Sequence, residues 1–229
     1  MEAVFSNFDE YLKAFGLTLM LFVVSGITSL IWGTLLAACR VGPVSVLRAA
    51  ATFYVTIFRN TPLLMIFVFC AIGLPRIGWS FVWVEDVEIA GWHASAFFTR
   101  ATIALTLYTS AFVCEAVRSG MNSVPLGQAE AGRAIGLTFG QSMRYVVMPQ
   151  ALRAVVAPLT SVQVALIKNT SIAAAFGIAE ATNVMRKFTN ANADQRPEIF
   201  LLFALGYVVI VEVVSLSSYA LERKLRVAR

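Results

Sequence analysis

Charge is what this 229-residue chain has least of: only 14% of its residues are Asp, Glu, Lys or Arg, where soluble domains carry about 25%. It has a single histidine, His93, which leaves no set of imidazoles for a metal site or a Ser-His-Asp triad. Its three cysteines, Cys39, Cys70 and Cys114, form no CxxC and lie in or beside apolar runs, so they are expected to be buried free thiols acting as small apolar residues. No GxxxxGK[ST] occurs, and the chain therefore holds no phosphate-binding loop of its own. Neither an internal repeat nor a low-complexity linker is present, and the whole of 1–229 is expected to form one membrane domain. The first 13 residues carry Glu2, Asp9 and Glu10 against Lys13 alone, the wrong charge for the leading region of a secretion signal.

Apolar residues are abundant, at 59%. They fall into five expected spans near 14–38, 50–74, 98–118, 152–175 and 198–220, each long enough for a hydrocarbon core of about 30 Å. The second contains Arg59, so either its helix includes that residue or it extends past Pro75. Pro158, in the fourth, is expected to bend it. Basic residues set the orientation. Arg40, Arg48, Arg118, Arg133, Arg144, Arg153, Arg223, Lys224, Arg226 and Arg229 fall on one side, against Lys13, Arg76, Arg100, Arg186, Lys187 and Arg196 on the other. The richer side is expected in the cytoplasm, with the N-terminus outside and the C-terminus inside. Acidic Glu85, Asp86, Glu88, Asp194 and Glu198 belong to the outer segments, and Trp79, Trp83 and Trp92 suit an outer water–lipid interface. A net charge of +5 then needs no nucleic acid to explain it, since no basic face is interleaved with aromatics.

Between the third and fourth spans the chain turns polar: residues 130–149 are EAGRAIGLTFGQSMRYVVMP. Pro125 can open a helix there, Glu130 lies early in it where a carboxylate complements the dipole, and Gly136 tolerates the positive φ of a sharp exit. Gly132 and Gly136 spell GxxxG, but in a polar setting this is not a span-dimerising pattern. The segment resembles the EAA loop of permease subunits, with Glu130, Ala131, Gly136 and Pro149 in the pattern's places; Gly132 stands for Ala, Val146 for Ile and Met148 for Leu. Residues 58–64, FRNTPLL, resemble the FRGTPLL of amino acid permeases, and residues 166–172, LIKNTSI, resemble their LKDTSL.

From about residue 14 to its end, then, the chain resembles the type I permeases of binding-protein-dependent ABC importers, in the polar amino acid branch, and among them the glutamate uptake permeases of actinobacteria. That resemblance implies an all-α membrane protein of five transmembrane helices with a cytoplasmic coupling helix in a loop at about 120–150. It implies a bacterial plasma membrane subunit that is not itself an enzyme. Its partners would be a cytoplasmic ATPase dimer that uses ATP and Mg, a second permease subunit, identical or related, and an external substrate-binding protein. Glu130, Ala131, Gly132, Gly136 and Pro149 would then couple to the ATPase. The competing function is an ion-coupled secondary amino acid transporter, which calls for carboxylates inside the membrane and often for paired repeats; Glu115 and Glu212 are expected near span ends.

Two cations, Arg59 and Lys168, fall inside expected spans, where charge is costly and usually functional. Arg59 suits a bidentate bond to a substrate carboxylate, Lys168 a point charge, and Asn169, Thr170 and Ser171 hydrogen bonds to an amino acid backbone. The structural reading stays open for Arg59: it reaches the interface, or it pairs with Glu115 or Glu212.

Overall fold

The computed structural model describes residues 2–81, 88–89, 92–93 and 95–225, with Glu2, Glu88, Ile89, Trp92, His93 and Leu225 as backbone only. Trp83, Glu85, Asp86, Arg226 and Arg229 lie outside the described residues. A short α1 (Glu2–Phe5) leads into α2 (Phe8–Val41), then α3 (Ser45–Asn60) and α4 (Leu63–Val68), which runs through a π-helical turn at Phe69–Gly73 into α5 (Leu74–Arg76). A two-residue ladder pairs Glu88–Ile89 antiparallel with Trp92–His93. After it come α6 (Ala96–Asn122), α7 (Leu126–Ala134), α8 (Phe139–Ser142), a second π turn at Met143–Val147, and α9 (Met148–Asn169), which continues as a 3₁₀ segment to Phe176. The chain closes with α10 (Ala181–Ala191) and α11 (Arg196–Leu225).

Among the described residues, four stretches are long and apolar enough to cross a membrane: 8–41, 96–122, 139–176 and 193–224. The expected second span is not one helix. Between α3 and α4 the chain turns by 105°, and neither straight alternative, a helix through Arg59 or one continued past Pro75, describes it. The cause is local. Pro62 has no N–H and forces the residue before it out of the helical region, and Thr61 accordingly sits at φ −98°, ψ 129°. Pro158, by contrast, lies inside α9, and the helix continues through it.

The two π turns have a common setting. Each ends two residues before a proline, Pro75 and Pro149. A helical proline lacks an N–H for the carbonyl four residues back and collides with it, and a widened turn at that point gives room. Ahead of Pro75 the carbonyl left without its helical donor is that of Ala71. It accepts a hydrogen bond from Nη1 of Arg100 at 2.8 Å, while Nε of Arg100 donates to Ala96 O at 3.0 Å. Arg100, one of the outer basic residues in the sequence reading, is therefore a buried structural group.

The centre of the bundle is α6, which packs on α2, α3, α4 and α9. Its buried face is built of small residues, Ala101, Ala104, Ser110, Ala111, Cys114 and Gly120 among them, the composition that lets membrane helices approach closely. At Gly120 a Cβ atom would lie 2.1 Å from Cγ2 of Val155, so α6 and α9 touch backbone to side chain there. Among the described residues three apolar clusters result. One joins Leu21, Phe67, Phe98, Leu105 and Leu166; a second joins Phe15, Val184, Phe188 and Phe203; a third joins Leu36, Ala51, Val55 and Ala111. Cys39, Cys70 and Cys114 are free thiols, the last two buried and Cys39 half-buried.

Outside the spans, Glu180 caps α10. Its carboxylate accepts from the amides of Thr182 (3.0 Å) and Asn183 (2.9 Å) and from the Tyr207 hydroxyl (2.9 Å). Burial pushes this carboxyl up, against the opposing pull of those donors.

Candidate functional site

The polar loop folds as a compact helix–turn–helix. Pro125 immediately precedes α7, and Gly136 takes φ +90° in the exit turn. Leu137 N donates to Gly132 O at 3.1 Å, closing the end of α7. Thr138 then opens α8 with a capping box. Its hydroxyl accepts from Gln141 N, and the Gln141 side chain accepts from Thr138 N at 2.9 Å. Glu130 is the fifth residue of α7, not in its first turn, so the helix dipole acts on it less than the sequence reading supposed. Glu130 and Ala131 are exposed, whereas Gly132 is buried. A Cβ on Gly132 would stand 3.2 Å from Ser142 Oγ and 3.4 Å from Leu137 Cδ1; the glycine is where α7 presses on α8. Around this small fold, Leu126, Ile135 and Phe139 are 82%, 80% and 76% exposed. The sequence reading missed these three, although apolar residues in so polar a segment are themselves a signal.

A second site lies where α2, α3 and α6 meet. Arg40 Nη1 donates to Glu115 Oε1 at 2.5 Å, Arg59 Nη1 lies 3.1 Å from the same oxygen, and Arg118 Nη1 is 3.8 Å from Oε2. Arg59 therefore has Glu115 as partner, one of the two the sequence offered. Its guanidinium also sits 5.8 Å from the centroid of Phe112. Glu212, the other offered partner, is the seventeenth residue of the 30 in α11 and exposed; it lies mid-helix, not near a span end.

Phe112 links this cluster to a third site. Together with Tyr108 and Thr109 of α6 and Ser161, Val162, Ala165 and Asn169 of α9 it lines a cavity of about 380 Å³. Of the four adjacent polar residues from 168 to 171, only Asn169 lines this space. Lys168 is exposed, Thr170 is fully buried with its hydroxyl donating to Ile167 O at 2.7 Å, and the Ser171 hydroxyl donates to Lys168 O at 2.6 Å. The rest of the lining was legible as spacing: 108 and 112, and 161, 165 and 169, recur every four residues on one helix face. Among the described residues no group of three or more His, Cys, Asp or Glu side chains is placed to hold a metal ion.

Residues 29–227 match the model of the family described as "Binding-protein-dependent transport system inner membrane component". The chain belongs to that family. It is a bacterial inner-membrane permease component, and its long apolar helices fit that place. Among its relatives, the glutamate transport system permease protein GluC of Corynebacterium efficiens is 39% identical over 95% of both chains. The glutamate/aspartate import permease protein GltJ of Escherichia coli is 34% identical over 93% of this chain and 86% of that one. In fold it matches a crystal structure of an amino acid ABC transporter with histidines, at a TM-score of 0.83 and 24% identity over 96% of both chains.

Proposed function

We propose that this permease is the transmembrane subunit of an ATP-driven, binding-protein-dependent importer of a polar amino acid, with glutamate the leading substrate. The whole chain, 1–229, serves as one transmembrane domain with its N-terminus outside and its C-terminus inside. The observation that carries this reading is the exposure of Leu126, Ile135 and Phe139 on a helix–turn–helix between two spans. Apolar side chains held out on a polar loop fit a protein partner, and the basic-residue bias supports a cytoplasmic position for them. That partner is a separate ATPase dimer, which binds ATP and Mg. Glu130 and Ala131 stand on the docking surface, whereas Gly132, Gly136 and Pro149 shape it. The glutamate and aspartate named for the relatives support the substrate, as does Arg59 beside the Phe112 wall of the Asn169 cavity.

In this scheme an external binding protein delivers the amino acid and two permease chains, identical or related, enclose it. ATP-driven closure of the ATPase moves the coupling loop, and the pathway alternates between its two openings. Arg59 and Lys168 attract the substrate carboxylate and Asn169 donates to it, while Thr170 and Ser171 hold the local turn. Within the bundle Glu115 is committed to three arginines, which disfavours its use as a proton or sodium site in an ion-coupled transporter.

The decisive experiment is purification of the complex through a tag on this chain, followed by ATPase and uptake assays in proteoliposomes with the binding protein and a panel of amino acids. A copurifying ATPase stimulated by glutamate, and uncoupled from uptake by Glu130→Lys, is the expected result. Uptake driven by an ion gradient without ATP would refute the proposal.

A further inference from the structure

Helix α3 has three distinct faces. Ala51 and Val55 are buried against Leu36 and Ala37 of α2 and Ala111 and Cys114 of α6. The Tyr54 hydroxyl on the same side contacts Leu107 O and Ser110 Oγ, both at 2.9 Å. At about 100° per residue, a second face carries Val46, Ala50, Phe53 and Ile57, all exposed and all apolar. The third, an arc of about 120°, carries Ser45, Arg48, Thr52, Thr56, Arg59 and Asn60, all exposed.

The apolar exposed face is what lipid requires. The polar one is what lipid excludes, because hydroxyl, amide and guanidinium groups left in hydrocarbon are costly. Yet α3 lies at the depth of α6 residues 107–114, inside that span. Within this chain the stripe bonds mainly along itself. Thr52 Oγ1 donates to Arg48 O (2.7 Å), Thr56 Oγ1 to Thr52 O (2.8 Å) and Asn60 Nδ2 to Thr56 O (2.8 Å). Each hydroxyl thereby spends its one proton on the helix and turns its lone pairs outward as acceptors. A trough of about 500 Å³ runs along Ser45, Arg48, Ala49, Thr52 and Thr56, with the Phe53 ring forming its apolar edge. At the far end Arg59 meets Phe112, a wall of the cavity that holds Asn169.

The geometry points to a passage: the polar face of α3 is the wall of a water-filled exit route along which an amino acid travels from the Asn169 cavity toward the side where α3 begins. Arg59 stands at its entrance and Arg48 at its mouth, with neutral hydroxyls between them. Such a wall takes a solute bearing both a carboxylate and an ammonium group: the cations attract the first, and the outward-facing acceptors receive the second. The bend at Thr61–Pro62 serves this arrangement, since it swings α3 out of line with α4 and so presents a full polar face. The inference rests on the importer reading above and adds the route to it.

The test uses the complete complex in nanodiscs and a sulfonated methanethiosulfonate reagent, which enters water but not lipid. Thr52→Cys and Thr56→Cys probe the polar face, Ala50→Cys and Ile57→Cys the apolar one, and the unaltered chain is the blank for its three native thiols. We expect the two threonine positions to react at least tenfold faster than the two apolar ones. Their modification should cut amino acid uptake at least fivefold in proteoliposomes, with the ATPase still bound. Equal reactivity on both faces overturns the assignment. So does protection of Thr52→Cys and Thr56→Cys, which would mean that the stripe is covered by the second permease chain. Thr56→Trp is a further check: it should block uptake without loss of assembly, and normal uptake by that variant also overturns the route. If the unaltered complex itself shows no ATP-dependent uptake, the importer reading falls instead.

Discussion

Replacing Glu115 by Gln removes the one negative charge from a group of three arginines. The contacts are unequal. Arg40 is the closest, at 2.5 Å, and its side chain is only 11% exposed, whereas those of Arg59 and Arg118 are 45% and 41% exposed. A hydrogen bond between charged groups contributes about 1.5–3 kcal/mol, and breaking a buried pair leaves an uncompensated charge. The Arg40 contact deserves most of that magnitude; the two exposed arginines, screened by solvent, add about 0.2–1 kcal/mol each at most. The expected loss is about 2–4 kcal/mol. For a domain of this size about 2–4 °C of melting temperature go with each kcal/mol, so Glu115→Gln should melt roughly 4–16 °C lower, read from intrinsic fluorescence of the detergent-solubilised complex. A double-mutant cycle with Arg40→Gln isolates the pair. A melting loss under about 1 °C, or a coupling energy near zero, would refute the assignment of Arg40–Glu115 as the tie between α2 and α6.

Three further outcomes follow from the packing and the site. Gly120→Ala places a methyl group 2.1 Å from Val155 Cγ2 and 3.2 Å from Ala151 O, and overpacking there should cost about 1–3 kcal/mol, seen as a lower melting temperature. Because burial raises the Glu180 carboxyl above its ordinary value, the native state binds that proton more tightly than the unfolded chain. The stability it contributes is present at low pH and is lost as pH rises through the raised value; Glu180→Gln should flatten this decline in a series of melts across pH. Lys168→Ala should abolish uptake while the ATPase still copurifies; normal transport by that variant would remove Lys168 from the substrate site.

The sequence shows the spans because a run of apolar residues survives averaging over many positions. It hides the break at Thr61–Pro62 for the same reason, since two residues barely alter the mean of a 25-residue window, although a Thr-Pro pair is itself a helix-ending signal. The polar loop is legible down to the turn at Gly136, where the backbone needs a residue that accepts positive φ. Buried Gly132 is not, because its reason is Ser142, ten residues on and in another helix. Lys168 to Ser171 shows the limit of reading by adjacency. Successive helical residues point about 100° apart, so four neighbours cannot all face one cavity, and only Asn169 does. The Arg40–Glu115 pair joins residues 75 positions apart, a pairing that spacing cannot reveal.

The close approach of Gly120 to Val155 has a mechanical meaning. From Phe139 to Phe176 the chain is helical without interruption, and this contact lies partway along it as a fulcrum. At 1.5 Å per residue the arm from Val155 back to Phe139 is about 24 Å, and the arm forward to Asn169 about 21 Å. A tilt about that point is returned at nearly full amplitude and in the opposite direction. In the proposed importer, pushing the polar loop one way would carry the Asn169 wall of the cavity the other way, with only slightly smaller amplitude.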